Sequence, residues 1–526
     1  MDALPYLSGV RPANPGPLAR FLPLLEEGTA AAWLAQRIPA GSWLLDPFGS
    51  SPRLVLEAAR AGYRVLVAAS NPVTRFLTEV AASAPSEADL NAALADLAAT
   101  RKSDERLETH LQSLYLTTCD RCGAEIPARA FLWNKGGEAP YARLYDCPQC
   151  RDNGERPITA GDVERARALT RSAGLHRARV LERIAPMGDP DREYAEEALQ
   201  VYLPRSIYAL ATLINRFDSL DTTPERRRLL NALLLSAFDA ATSLWGSDRP
   251  RPKQLSASNQ FRERNVWLAL ERGIAQWAET GAPVVWGAWP EKIPESGGLS
   301  LFDGRLRDLA AQIREEMPVA AVVTAVPRPN QAFWTLSALW AGWLWGPAAA
   351  EPFKMGLRRR RYDFSWNATA LSAALGHLAG LLPAGTPMLA LLGEPESAFV
   401  TSTLAAADIS GFDLSGVALR NELDPLQTVW SRQASPPAPG TRGLEPVRRA
   451  IHAHLHERAE PAPYLHNHTA ALAALAADHA IKGPDEPLDD ALRSTNALVE
   501  TALTGDARFA HYSQGEGVET GLWGLH

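Results

Sequence analysis

One segment constrains the fold of this chain more than any other. Trp43-Leu44-Leu45 is an apolar run that stops at Asp46-Pro47-Phe48-Gly49-Ser50-Ser51-Pro52, an acidic residue and a glycine-containing turn. Leu54 to Ala61 then reads as a helix carrying Leu54, Leu56, Ala58 and Ala59, and Arg64 to Ala69 reads as a second buried strand that ends at Asn71-Pro72. Strand, turn, helix and strand in that order make the first βαβ unit of a nucleotide-binding α/β sheet, in which a ligand sits at the carboxyl ends of the strands. At 526 residues the chain has room for two or three domains and a large core.

These residues resemble the cofactor-binding motif of S-adenosylmethionine-dependent DNA methyltransferases of the exocyclic-amino type, which read Asp-Pro-Phe-x-Gly-x-Gly at the turn and carry an acidic residue two places before the Asn-Pro. The resemblance implies an α/β fold with a class I methyltransferase-like, Rossmann-like sheet. It makes Asp46, Pro47, Phe48, Gly49, Asn71 and Pro72 the cofactor-binding set. Three positions depart from the motif. Ser50 and Pro52 stand where glycines let the backbone approach the methionine moiety, and Pro52 also removes an N–H. Ala69 stands where an acid would bind the ribose hydroxyls. These departures weaken the case for S-adenosylmethionine as a cofactor.

All four cysteines fall in one window, Cys119-Asp120-Arg121-Cys122 and Cys147-Pro148-Gln149-Cys150. Two C-x-x-C pairs place four thiolates on two knuckle turns, which suits tetrahedral zinc. Gly123 follows the first pair, where a left-handed backbone is commonly needed. Two disulfides or four unrelated thiols are the other readings, and a reducing compartment disfavours disulfides. Phe131-Leu132-Trp133 and Tyr141 to Tyr145 read as short strands between the pairs, which outlines a zinc ribbon. Four thiolates leave no open position for water, so the metal is structural. The ribbon either staples a small insertion or presents Arg121, Arg129, Lys135 and Arg143 to a partner. Cys-x-x-Cys-Gly-Ala-x-Ile-Pro before an aromatic strand resembles the ribbon of zinc-ribbon-containing adenine-specific DNA methylases.

The middle of the chain is helical in pattern. Helices are expected from Thr159 to Leu175, from Ala195 to Phe217 and from Arg226 to Trp245, with a further one opening at Phe261 to Trp267. The Pro-rich loop between the last two carries Arg249, Arg251 and Lys253; with Arg262 and Arg264 these are candidate phosphate contacts against the plainer reading of a solvated loop.

The resemblance also locates the catalytic motif. Exocyclic-amino methylases place (Asp/Asn/Ser)-Pro-Pro-(Tyr/Phe/Trp) after the fourth strand, where an acid or amide aims the flipped base's amino group and an aromatic ring stacks on the base. Here Pro318 to Thr324 is the strand, and Ala325, Val326, Pro327 and Arg328 occupy the motif, so the hydrogen-bonding residue and the stacker are both absent. In an active enzyme with unusual residues, Asn330 is a candidate to orient the target amino group. Lys354 and Arg358, Arg359, Arg360 and Arg361 form the densest basic run and a candidate phosphate cradle. Pro387 to Pro395 reads as a late strand after a helix over Asn367 to Leu382, Ala398 to Asp408 as the next helix, and Phe412 to Arg420 with Gln427 to Arg432 as a closing antiparallel pair. After the linker Ser435 to Gly440 the chain is Ala-rich and helical. Its histidines, His452, His454, His456, His466 and His468, lack the acidic or cysteine partners of a recognised metal set.

Composition matters for what it excludes. A chain of 46% apolar and 21% charged residues with net charge -7 has no global nucleic-acid signature, so DNA contact must come from local basic patches. Met1-Asp2-Ala3-Leu4-Pro5 lacks the features of a signal peptide, and Phe333 to Trp345 is too short to span a membrane. A cytoplasmic protein without a membrane partner is expected. The implied organisation is a first methyltransferase-like part over 1–110, a zinc ribbon over 111–158, a helical insertion over 159–290, a second methyltransferase-like part over 291–434 and a helical extension over 435–526. Decay in two separated motifs on a kept scaffold points to a pseudoenzyme that binds DNA or serves as partner to an active sister methylase. The alternatives are an active adenine-N6 or cytosine-N4 methyltransferase and a protein-interaction scaffold that does not touch nucleic acid.

Overall fold

The computed structural model describes residues 4–526 except 247–249, 279–280, 314–316, 359–361, 436–437, 513–514 and 516. The opening segment folds as read, into β1 (Trp43–Asp46), α1 (Pro52–Arg60), β2 (Arg64–Ala68) and α2 (Pro72–Ser83). Six further strands join them: β3 (Trp286–Ala288), β4 (Gly298–Phe302), β5 (Val319–Ala325), β6 (Pro387–Leu392), β7 (Phe412–Ala418) and β8 (Leu426–Arg432). Their spatial order is β3-β4-β2-β1-β5-β6-β8-β7; the neighbours from β3 to β6 run parallel, and β8 lies antiparallel to both β6 and β7. The α/β expectation therefore holds as a mixed fold around a large, mostly parallel sheet.

Continuous Val, Leu and Ala runs form these strands because both faces of the sheet are covered. Alternate residues enter two different cores: Leu44, Val65, Val67, Leu389 and Leu391 on one face, Leu45, Leu66, Ala68, Met388 and Ala390 on the other. The second core continues into the extension through Val447, Ile451, Leu472 and Val499, so the extension packs onto the sheet layer. The extension is helical over Leu444–Arg458, Tyr464–Ala477 and Leu488–Thr504, as expected, and adds a three-stranded sheet of Ala462–Pro463, Leu522–Leu525 and Phe509–Tyr512 that its Ala-rich composition hid.

A third core belongs to the helices between β2 and β3, and α3 (Gln331–Trp345) is driven into it through Leu336, Leu339, Trp340 and Trp343. This explains why α3 is apolar all round: it is enclosed by protein on every side. Among the described residues no helix is long and apolar enough to cross a membrane.

Two helix expectations need correction. Ala195 to Phe217 is not one helix, because a helix over Arg192–Ala198 ends in a single 3-10 turn and a new helix starts at Pro204, whose missing N–H is tolerated only in a first turn. Phe261 does not open a helix either. Gln260–Arg264 is a strand, its Phe261 and Glu263 buried in alternation, and the helix begins at Val266 behind Asn265, whose Oδ1 accepts from Trp267 N at 3.0 Å. That strand pairs with Ala130–Asn134 and extends the ribbon into a four-stranded sheet with Ala142–Asp146 and Asn153–Pro157.

Candidate functional site

The carboxyl ends of β1, β2, β5 and β6 converge on a cleft of about 430 Å³. The loop after β1 contributes Pro47, Phe48 and Ser50; the β2 end contributes Ser70 and Asn71; Val326 to Asn330 follow β5, and Gly393 and Glu394 follow β6. Both motif regions read from the sequence thus wall one space.

Within and behind that wall Asp46, Gly49, Asn71 and Pro72 hold the local structure together. Asp46 is fully buried at the end of β1; its Oδ1 accepts from Thr324 Oγ1 at 2.6 Å and Phe48 N at 3.1 Å, which ties β1 to β5. Its Oδ2 is buried without a partner, and burial pushes its carboxyl up to about 6 against the pull of those hydrogen bonds. Gly49 sits at φ +54, and a Cβ there would stand 3.0 Å from Val67 Cγ1 and 3.2 Å from the Ala68 carbonyl, so a larger residue would be both strained and crowded. Asn71 caps α2, accepting from Val73 N and Thr74 N at 2.9 and 3.3 Å, and Pro72 takes the first helical position.

The departures have their own partners. Ser50 Oγ donates to the Ala325 carbonyl at 2.6 Å, a bridge between the two motif regions that glycine would not make. Pro52 is the first residue of α1, behind the cap Ser51. Ala69 is 3% exposed and packs in the apolar core with Val67 and Leu301 instead of lining the cleft.

In the segment after β5 Ala325 and Val326 are buried, and the Pro327 carbonyl accepts from Asn367 Nδ2 at 3.2 Å. Arg328 donates to the Glu394 carbonyl at 2.6 Å and pairs with Glu396 at 2.5 Å. Asn330 Oδ1 is occupied as the cap of α3, accepting from Phe333 N at 2.9 Å.

One wall was missed entirely. Arg20 to Pro23 lies over the cleft, with Phe21 stacked on Phe333 at 5.3 Å between ring centres, and Arg251 clamps it by donating to the Ala19 and Leu22 carbonyls at 2.9 and 2.6 Å. The segment is irregular, and the only signal was an apolar cluster beginning at Phe21. Arg251 also pairs with Glu394 at 3.0 Å, and Lys253 reaches the cleft mouth, where desolvation and then the Arg328 guanidinium hold it below the usual lysine range.

The other basic candidates are placed elsewhere. Arg358 makes a two-armed pair with Asp191, its Nη2 donating at 3.1 Å, and Lys354 pairs with Asp189 at 2.6 Å; Arg359, Arg360 and Arg361 lie outside the described residues, as does Arg249. Arg264 stacks on Trp245 at 3.6 Å, and Arg262 is exposed on the ribbon's added strand. Arg143 is not presented to a partner: it is fully buried, held by Asp162 at 3.1 Å and by Asp120.

The ribbon holds a second candidate site. The four cysteine Sγ atoms all lie within 4.8 Å of one another, with Cys119 and Cys150 at 3.5 Å and Cys122 and Cys147 at 3.6 Å. These separations are far beyond the roughly 2.05 Å of a disulfide and match four ligands around one ion. The knuckles repeat each other: Gly123 N donates to the Cys119 carbonyl at 3.0 Å with φ +70, and Arg151 N donates to the Cys147 carbonyl at 3.0 Å with φ +58. Tyr145 braces both, its hydroxyl accepting from Asp120 N at 3.0 Å and donating to Asp152 Oδ2 at 2.7 Å. Among the described residues no comparable group forms from the C-terminal histidines.

Asp46 offers a direct check on this geometry. A carboxyl whose folded value is raised to about 6 binds its proton more tightly in the native state, so its stabilising contribution is complete below pH ~4 and is lost as pH rises through 6. Asp46→Asn removes that loss. The variant should gain about 2 kcal/mol relative to wild type between pH 4.5 and 7.5 in urea unfolding. A constant difference across that range would show that Asp46 ionises without cost.

No family model, curated protein or solved structure matches this chain.

Proposed function

We propose that this chain is a DNA-methyltransferase-like protein that has lost methyl transfer and serves as a DNA-binding or partner subunit, beside an active sister methylase. The strand order supports the scaffold half of the reading: a parallel core opening from β1 in both directions, closed by the antiparallel β8 between β6 and β7, is the arrangement implied by a class I methyltransferase-like sheet. The cleft at the carboxyl ends is where such a sheet holds its ligand.

The observation that carries the loss of activity is the bridge from Ser50 Oγ to the Ala325 carbonyl. It joins the altered cofactor loop to the altered catalytic motif, and both now brace the scaffold. Ala69 contributes packing where a ribose ligand is needed, and position 325 offers no acid or amide to aim an amino group. A second reading, an active S-adenosylmethionine-dependent DNA methyltransferase, draws on the cleft itself, which stays open at about 430 Å³.

In the same reading the ribbon holds zinc. At a Zn–S distance of about 2.3 Å a tetrahedral site separates its sulfurs by about 3.8 Å, close to the 3.5 and 3.6 Å found here. Cys119, Cys122, Cys147 and Cys150 would fill all four positions, so the ion organises the ribbon and activates no water.

Methyl transfer from labelled S-adenosylmethionine to varied duplexes, alongside duplex binding across a salt series, tests the proposal. The expected result is duplex binding that weakens steeply with salt and no transfer by the isolated protein. Robust transfer overturns the loss of activity, and absent duplex binding at low salt overturns the nucleic-acid role.

A further inference from the structure

The cleft is lined by six cationic side chains, Arg20, Arg251, Lys253, Arg305, Arg307 and Arg328, and by a single carboxylate, Glu394. That excess sits in a chain of net charge -7, so it is a local feature of this site. Several of the cations are already satisfied: Arg20 by Asp239, Arg251 by Glu394, Arg328 by Glu396 and Arg307 by its neighbour Asp308. Glu394 and Glu396 also act on Lys253, at longer range than an ion pair and against the larger effects of desolvation and Arg328. Lys253 and Arg305 remain at the mouth, both exposed, and among the described residues neither meets a carboxylate at ion-pair distance. Behind them the half-buried Phe48 and Phe353 give the cleft an aromatic lining.

From this arrangement we infer that the cleft binds a nucleoside phosphate, with the base against Phe48 and Phe353 and the phosphate held by Lys253 and Arg305. The inference deepens the proposed function and rests on its premise that the site no longer serves methyl transfer. Charge decides between the ligands. S-adenosylmethionine, with a sulfonium and an ammonium against one carboxylate, is a net cation, and the one carboxylate lining the cleft, Glu394, is already paired with Arg251. A phosphate meets two cations that form no ion pair among the described residues, and partial desolvation at a cleft mouth strengthens that attraction. Aromatic faces accept any base, which supplies affinity without sequence preference.

Titration calorimetry on the full chain at low salt would use adenosine monophosphate, adenosine, inorganic phosphate and S-adenosylmethionine as probes. The monophosphate should bind, adenosine and phosphate should each bind at least about tenfold more weakly, and Lys253→Ala with Arg305→Ala should cost about tenfold or more. Both positions are exposed, so the variant keeps its fold; Arg167→Ala, exposed on the helix Ala160–Ile184 and outside the cleft lining, should leave binding unchanged. A short single-stranded oligonucleotide that displaces the monophosphate assigns the nucleotide to a strand, and failure to displace it assigns a free nucleotide. Binding that survives the double substitution overturns the inference, as does absence of binding by both monophosphate and oligonucleotide. If S-adenosylmethionine binds and the monophosphate does not, the inference and the loss-of-activity reading fall together; if neither binds, the inference alone falls.

Discussion

Removing the metal from the ribbon should unravel both cysteine knuckles while the eight-stranded sheet stays folded. The ribbon's own apolar core is Cys119, Ile126, Tyr145 and Cys147, with Ala124 and Cys150 packed against it, so three of its six members are themselves candidate metal ligands. A core this small cannot hold two turns in place without a staple. Structural zinc contributes on the order of 10–16 kcal/mol of apparent binding free energy in small modules, and that energy is folding energy for the knuckles. Metal analysis should return about one zinc per chain, from the four-ligand geometry. Cys119→Ser or Cys150→Ser, or a strong chelator, should abolish hydrogen-exchange protection at Gly123 and Arg151, whose amides close the two knuckles. The loss should spread to Arg143, because Asp120 in the first knuckle is one of its two carboxylate partners and the other, Asp162, then carries a newly wetted guanidinium alone. Amides of β1 and β2 should keep their protection. A protein purified without metal and indifferent to chelators would refute the assignment.

What the sequence made legible, and what it hid, follows from the range of the interactions involved. The β1–α1–β2 unit was readable because its signals are local: an apolar run, a glycine that tolerates φ +54, and Asn-Pro at a helix start. The cysteine cluster was readable because four side chains of one type at a fixed spacing allow few other uses. The strand Gln260–Arg264 was misread because its charged residues continue the pattern of neighbouring helices, and only pairing with Ala130–Asn134 settles its conformation. Charge is visible in a sequence but partnership is not. Arg358 looked free and is spent on Asp191, 167 residues away; Arg251 looked like a loop cation and clamps both Glu394 and the Arg20–Pro23 segment. That segment was the largest omission, since an irregular stretch carries no periodicity and its position is set wholly by tertiary contacts.

Breaking the anchor of that segment should have the other large effect. Arg20 is nearly buried, and its guanidinium meets Asp239 Oδ1 at 2.5 Å while donating to the Leu244 carbonyl and Thr242 Oγ1 at 3.2 Å. It lies over Trp245 at 3.8 Å, with Arg264 over the same ring system at 3.6 Å. Burial pushes the Asp239 carboxyl up, and Arg20 is the first group that opposes this. Arg20→Met would leave that carboxylate buried with only the more distant Arg264 to compensate, a loss of about 3–5 kcal/mol for a broken buried pair. The sign of the pH dependence identifies the cause. With its cation gone Asp239 titrates at a higher value in the folded state, so the variant should be least destabilised in acid and progressively more so as pH rises. Adding Asp239→Leu should recover most of the loss, because two apolar residues replace the pair without stranding a charge. The effect should also reach the cleft, since Phe21, Leu22 and Pro23 form its roof and are positioned by the residue beside them. Arg20→Met should therefore weaken nucleotide binding at pH 7.5 even where the protein remains folded, and Arg20→Met with Asp239→Leu should restore stability more completely than it restores binding. Equal recovery of both would place the roof under the control of Arg251 alone.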